Sequence, residues 1–241
     1  VSRGATWVPN QHGAWAMLAT PLLVGVLAGG ASWTQLPLAL VWFCGYFAFF
    51  AAGLWLKSRR KPRFRAPVVV YSAACVPLAA VVLALQPSLL RWAPAFAPFL
   101  VVGLVEAVRR RDRSLLSGAA TTLAASLMTV VAYDAGPGED WTRAWLLTAV
   151  VAGYHLGVLV HVKALIRERR NPAYARAAVA LHVLLTLLAA LVSWPLVLVG
   201  VVLVARTVLA QRLAPSPKRV GIAELVVNVL VVVVALGSVG T

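Results

Sequence analysis

Acidic residues are scarce in this chain: seven Asp and Glu stand against 22 Lys and Arg in 241 residues, and charged side chains of either sign make up only 12%. With 61% hydrophobic residues, too little polar surface is left for a soluble domain of this size, so the sequence is that of a membrane protein. A net charge of +15 would point to nucleic acid in a soluble chain. Here the cations sit in short segments between long apolar runs, where topology and anionic headgroups account for them, and no nucleic-acid partner is expected. Cysteine is nearly absent. Cys44 and Cys75 both fall inside apolar runs, which argues against a disulfide framework or a cysteine-bound metal. The chain also has no Gly-rich phosphate loop, no Ser-His-Asp set with a nucleophile elbow, no HExxH and no EF-hand pattern, so neither cofactor nor metal is expected. No apolar stretch ending in a cleavage site occurs between Val1 and Gln11, and the first span is expected to be retained.

What is present is apolar length. At about 20 residues per span, the chain divides into nine transmembrane helices, at roughly 13–31, 36–56, 67–86, 88–108, 114–133, 143–166, 174–192, 194–211 and 219–239. The fold class is all-α, a polytopic single domain over residues 1–241. Two joins are tight, Gln86-Pro87-Ser88 and Ser193-Trp194-Pro195. With the N-terminus cytoplasmic, 20 of the 22 cations fall inside, and only Arg91 and Arg143 lie outside with Asp134, Glu139 and Asp140. That asymmetry fits the positive-inside rule and places the C-terminus outside. Gly25 with Gly29, and Gly153 with Gly157, form Gly-x-x-x-Gly pairs that let neighbouring helices approach closely. Pro21, Pro77, Pro94 and Pro98 lie within spans, either as plain kinks or as kinks that open a cavity.

The densest charge is the run Lys57 to Arg65. Its pattern Arg59-Arg60-Lys61-Pro62-Arg63-Phe64 returns as Arg169-Arg170-Asn171-Pro172-Ala173-Tyr174, again after a span that carries its own cations, Lys163 and Arg167. A repeat on that scale suggests a duplicated supersecondary unit with one basic cluster per copy. Lys57, Arg60, Arg63, Lys163, Arg167 and Arg170 are therefore candidate phosphate or anion ligands, able to make charge-assisted contacts. The other reading makes the same residues topology determinants that meet lipid headgroups nonspecifically.

Polar residues inside spans are functional candidates by default. His155 and His161 are six apart on the sixth span, hence on different faces, and cannot share one metal on a regular helix. His155 is deep enough to act as an acid-base group or to make an interhelical hydrogen bond, and His182 carries the same argument more weakly. Gln11, His12 and Trp15 stand at the entrance to the first span, as a substrate-facing lip with His12 as acid-base group or as an interfacial anchor with Trp7. Arg206 and Glu224, at similar depth in consecutive antiparallel spans, are expected to form a structural ion pair. Glu106 is expected to pair with Arg109 or Arg110 one turn on.

The opening string Trp7-Val8-Pro9-Asn10-Gln11-His12-Gly13-Ala14-Trp15-Ala16 resembles the signature of the YwiC-like family of bacterial membrane proteins. That resemblance implies a multi-pass bacterial membrane protein without implying an activity. A more distant, architectural resemblance is to the UbiA family of intramembrane prenyltransferases, whose functional loops follow the second and sixth helices and hold magnesium and a prenyl diphosphate on Asp-rich motifs. This chain departs from that pattern. It has Lys57 and Arg60 at the first place and His161, Lys163 and Arg167 at the second, while its inner-side acids Glu106, Asp112, Glu168 and Glu224 are scattered over four segments. Magnesium needs carboxylate oxygens, so metal-dependent diphosphate ionisation is not expected. What the two resemblances imply together is a UbiA-like bundle in the bacterial inner membrane whose cytoplasm-facing cavity binds an isoprenoid or lipid phosphate among membrane lipids. If it is an enzyme, it is a metal-independent transferase using His12 or His155. The alternative is a non-catalytic small transporter or a partner-binding membrane protein.

Overall fold

The computed structural model describes residues 7–8, 12–213 and 215–240, without the side chains of residues 12–14. The described residues form nine α-helices and no strand: α1 (His12–Gly29), α2 (Gln35–Lys57), α3 (Arg65–Leu85), α4 (Ala93–Val108), α5 (Leu115–Asp134), α6 (Trp141–Ile166), α7 (Pro172–Ala189), α8 (Trp194–Leu213) and α9 (Pro217–Ser238). Eight helical segments, from Gln35–Lys57 onward, are long and apolar enough to cross a membrane. Four of the helix starts have side-chain caps that the sequence advertises, among them Ser216, which accepts from Arg219 N. Ser114 accepts from Ser117 N, Asp140 from Arg143 N, and Asn171 from Ala173 N and Tyr174 N. The two tight joins are real breaks. Gln86 leaves α3 in an extended conformation and Pro87–Trp92 forms a 3-10 turn, while residues 190–193 turn between α7 and α8. Pro94 lies within the segment Pro87–Val108, as expected, and stands in the first turn of α4, where a proline lacks no helical hydrogen bond, whereas Pro21, Pro77 and Pro98 lie inside helices.

The chain divides into two compact units, Val1–Glu139 and Asp140–Thr241. In the first, α1 packs along α5, α2 packs on α3 and α4, and α4 packs on α5. Between apolar helices in lipid, close packing rather than burial from water drives association, and the α1–α5 contact shows it. A Cβ at Gly25 would stand 2.7 Å from Ala132 Cβ, and one at Gly29 would stand 2.7 Å from Tyr133 O. Aromatic rings join the opening of the chain to the helices: Trp15 stacks on Phe43 and meets Phe47 edge-on, and the Tyr71 hydroxyl donates to Trp7 O.

The second unit is a ring of four helices, α6 against α7, α7 against α8, α8 against α9 and α9 back against α6. Its apolar core is Tyr154, Val199, Leu203 and Val231. Here the Gly-x-x-x-Gly pair admits side chains rather than backbone. A Cβ at Gly153 would meet Leu185 Cδ2 at 3.0 Å, and one at Gly157 would meet His182 Nε2 at 3.1 Å.

Candidate functional site

In the first unit the basic residues collect where α2 and α4 end, and both helices end in the same way. After α2, Arg59 N donates to Leu56 O and Arg60 N to Trp55 O; after α4, Arg110 N donates to Ala107 O and Arg111 N to Glu106 O. These are Schellman turns, whose pivotal residue takes a left-handed conformation and is usually glycine. The pivots here are arginines, Arg59 at φ 60° and Arg110 at φ 57°, with Arg60 also at φ 59°. Each costs about 1 kcal/mol or more relative to glycine.

Arg59 and Arg110 line one surface depression of about 540 Å³, together with Ser58, Lys61, Arg63 and Phe64. Of the expected anion ligands, Arg63 is thus on this rim, with its guanidinium 4.8 Å from the Phe64 ring centroid. Arg60 lies over Trp55 at 5.8 Å. Lys57 is paired, its Nζ 2.8 Å from Asp112 Oδ1, with both side chains more than a third exposed. Glu106 is buried and accepts from Ser114 Oγ at 2.6 Å; an ion pair with Arg109 or Arg110 is not found among the described residues. The helix spacing was right for that pair, but α4 ends at Val108 and the turn redirects the chain.

The second copy of the pattern belongs to the second unit. Ile166 to Asn171 line a depression of about 430 Å³ that includes Arg167 and Arg170, and Lys163 lies 5.5 Å from the Tyr174 ring. The two copies share a local role: Pro62 opens the 3-10 turn Pro62–Phe64 before α3, and Pro172 opens α7.

The second unit also holds a buried ionic seam to which all four of its helices contribute. Arg206 Nη1 of α8 lies 2.6 Å from Glu224 Oε1 and 2.7 Å from Oε2, on α9. Arg206 Nη2 lies 3.3 Å from His182 Nε2, on α7, whose Nδ1 is 2.8 Å from Ala178 O. On α6, His161 Nε2 stands 3.6 Å from Glu224 Oε1, and its ring meets that of His182 edge-on with centroids 6.0 Å apart. One turn further along α9, Asn228 Oδ1 is 3.4 Å from His155 Nε2, and the Tyr154 hydroxyl donates to Glu224 O. The histidines are 1–2% exposed. Arg206 and Glu224 are thus together, but as part of a larger group that includes His161 and His182. Equal spacing from the joining turn marks Arg206 and Glu224 alone; His161 lies about one turn of helix nearer the α6–α7 turn than His182 does, and His182 about one turn nearer the α7–α8 turn than Arg206, so that spacing did not reveal the histidines. His12 lies outside the residues whose side chains are described.

Both units have an ordered opposite end. Asp134 accepts from Arg91 and from Trp92 Nε1, and Arg143 Nη2 donates to Leu236 O at 3.0 Å.

No solved structure matches this chain. Over 184 residues it is 30% identical to the uncharacterized protein YwiC of Bacillus subtilis (strain 168), covering 76% of this chain and 77% of that one. It is 26% identical over 181 residues to an uncharacterized protein of Haemophilus influenzae (strain ATCC 51907 / DSM 11121 / KW20 / Rd), covering 75% of this chain and 76% of that one. The model of the family described as YwiC-like protein matches residues 8–133, nearly the whole of the first unit with its basic rim. On that match and that identity, this multi-pass membrane protein belongs to the YwiC-like family.

Proposed function

We propose that the protein binds the anionic head of an amphiphile, an isoprenoid or lipid phosphate, on the basic rim of its first unit at the cytoplasmic face of the bacterial inner membrane. The observation that carries this is the pair of arginines at glycine positions. Setting topology needs only cations somewhere in the cytoplasmic loops; it gives no reason to hold Arg59 and Arg110 in left-handed turns that line one depression with Lys61 and Arg63. Guanidinium groups fixed by helix ends are suited to bidentate contact with phosphate oxygens. The architectural resemblance to UbiA-type prenyltransferases supports an isoprenoid phosphate as the amphiphile. The proposal is one of binding: His155, the acid-base candidate, faces Asn228 within the second unit.

The test exploits the turns themselves. Arg59→Gly with Arg110→Gly keeps the backbone conformation and removes two charges. At about 1 kcal/mol per cation near an anionic group, the double variant should bind farnesyl phosphate at least tenfold more weakly, as read by native mass spectrometry in detergent. An Arg212→Ala, Lys218→Ala control should bind as the parent does. Equal loss in both double variants, or none in either, would reduce the rim to a topology signal.

A further inference from the structure

We infer that the seam between α6 and α9 in the second unit is an intramembrane proton-exchange site, at which His161 accepts a proton on Nδ1 and passes its Nε2 proton to Glu224. This is independent of amphiphile binding and concerns different residues. The Arg206–Glu224 pair leaves the site electrically neutral, with one cation and one carboxylate, so the histidines are not needed to balance charge. Their hydrogen bonding sorts them. His182 is filled on both nitrogens: Nδ1 faces a carbonyl and must carry the proton, which leaves the Nε2 lone pair for Arg206. A second proton on His182 would set N–H against N–H.

His161 has the opposite arrangement. Its Nε2 faces the Glu224 carboxylate and its Nδ1, fully buried, has no hydrogen-bond partner. A neutral imidazole directing Nε2–H at a carboxylate carries its free lone pair on Nδ1, and that lone pair is where a proton is taken. When it arrives, the N–H bond at Nε2 breaks and one forms at Glu224 Oε1. The ring is again neutral with its hydrogen on Nδ1, the carboxylate has become a carboxylic acid, and the site carries the one positive charge of Arg206 until that proton leaves. The site resets when Glu224 releases its proton, which restores the ion pair with Arg206, and the ring loses its Nδ1 proton as another binds at Nε2, so that protons taken up and released are equal in number. The groups facing His161 are His182 from α7, Arg206 from α8 and Glu224 from α9. His155 repeats the arrangement one turn along α9, with Nε2 toward Asn228 and Nδ1 without a partner. It lies about 9 Å along α6, six residues at 1.5 Å each, too far for direct transfer to His161.

The full chain, reconstituted into phosphatidylcholine and phosphatidylglycerol vesicles with trapped pyranine, should pass protons under a valinomycin-set potassium potential at least tenfold faster than protein-free vesicles. His161→Gln and Glu224→Gln should return the rate to that of empty vesicles. Parent protein no faster than empty vesicles, or a His161→Gln variant as fast as the parent, would overturn the inference. Should either variant misfold, ¹⁵N-histidine NMR of the unaltered protein decides. A bare Nδ1 on His161 beside a protonated Nδ1 on His182 supports the site, and a proton resting on His161 Nδ1 removes it.

Discussion

Two of the cation–carboxylate pairs among the described residues, Lys57 with Asp112 at 2.8 Å and Arg206 with Glu224 at 2.6 Å, are of similar length, and depth makes them different objects. The first sits at the rim, with both side chains more than a third exposed; water can replace either partner, so the rim cations remain free to meet another anion. The second sits inside a helix ring, with each side chain less than 15% exposed and further held by histidines. Neither member can leave without exposing the other to a medium that solvates charge poorly. A surface rim therefore suits exchange of whole ligands, while a buried seam suits exchange of something as small as a proton.

The comparison is broken most severely by removing one partner of the buried pair. Glu224→Leu should destabilise the protein by about 3–5 kcal/mol, the cost typical of an orphaned buried charge. Replacing both, Arg206→Met with Glu224→Leu, should recover most of that loss, as read by chemical unfolding in detergent micelles. If the double variant is no better than the single, the pair's worth lies in the histidine contacts rather than in charge. Next in size is the α1–α5 contact. Gly29→Ala brings a methyl group against the Tyr133 backbone and should cost about 1–3 kcal/mol, as overpacking does. Gly157→Ala meets a side chain rather than backbone, His182 Nε2 at 3.1 Å against Tyr133 O at 2.7 Å, and should cost less. Melting temperatures of the two variants would reverse in order if α1 could slide along α5.

The helices were legible because a span needs a fixed apolar length, and the structure places the long segments close to the expected bounds, the largest difference being Pro62–Leu85, which starts at Pro62 where residue 67 was expected. The caps Ser114 and Asn171 and the break at Pro87 carry their own local chemistry. The sites were legible only in part. Arg206 with Glu224 could be read because each lies the same distance from one turn; His161 and His182 are unequally placed about theirs, and histidine carries no obligatory charge in a membrane and so makes no demand for a partner. The left-handed arginines were not legible, because the sequence marks such turns by glycine and here glycine is absent from both helix ends. That makes Arg59→Gly alone informative: it should raise stability by up to about 1 kcal/mol while weakening anion binding. A gain in stability without loss of binding would make Arg59 an accident of sequence rather than part of a site.

The smallest effect is expected at the exposed pair, and it sharpens the contrast most. Lys57→Ala and Asp112→Ala should each change stability by less than about 1 kcal/mol, with a coupling energy of a few tenths that falls further at high salt. The two should nevertheless act oppositely on the rim. Asp112 places a negative charge beside cations that would otherwise attract phosphate, so Asp112→Ala should tighten farnesyl phosphate binding, whereas Lys57→Ala should loosen it or leave it unchanged. At the buried seam no such separation is available, since removing either partner damages both the fold and the site. If Asp112→Ala instead destabilises the protein as strongly as Glu224→Leu, the rim pair is a structural tie between α2 and the turn after α4. The cations around it would then belong to the scaffold rather than to a ligand.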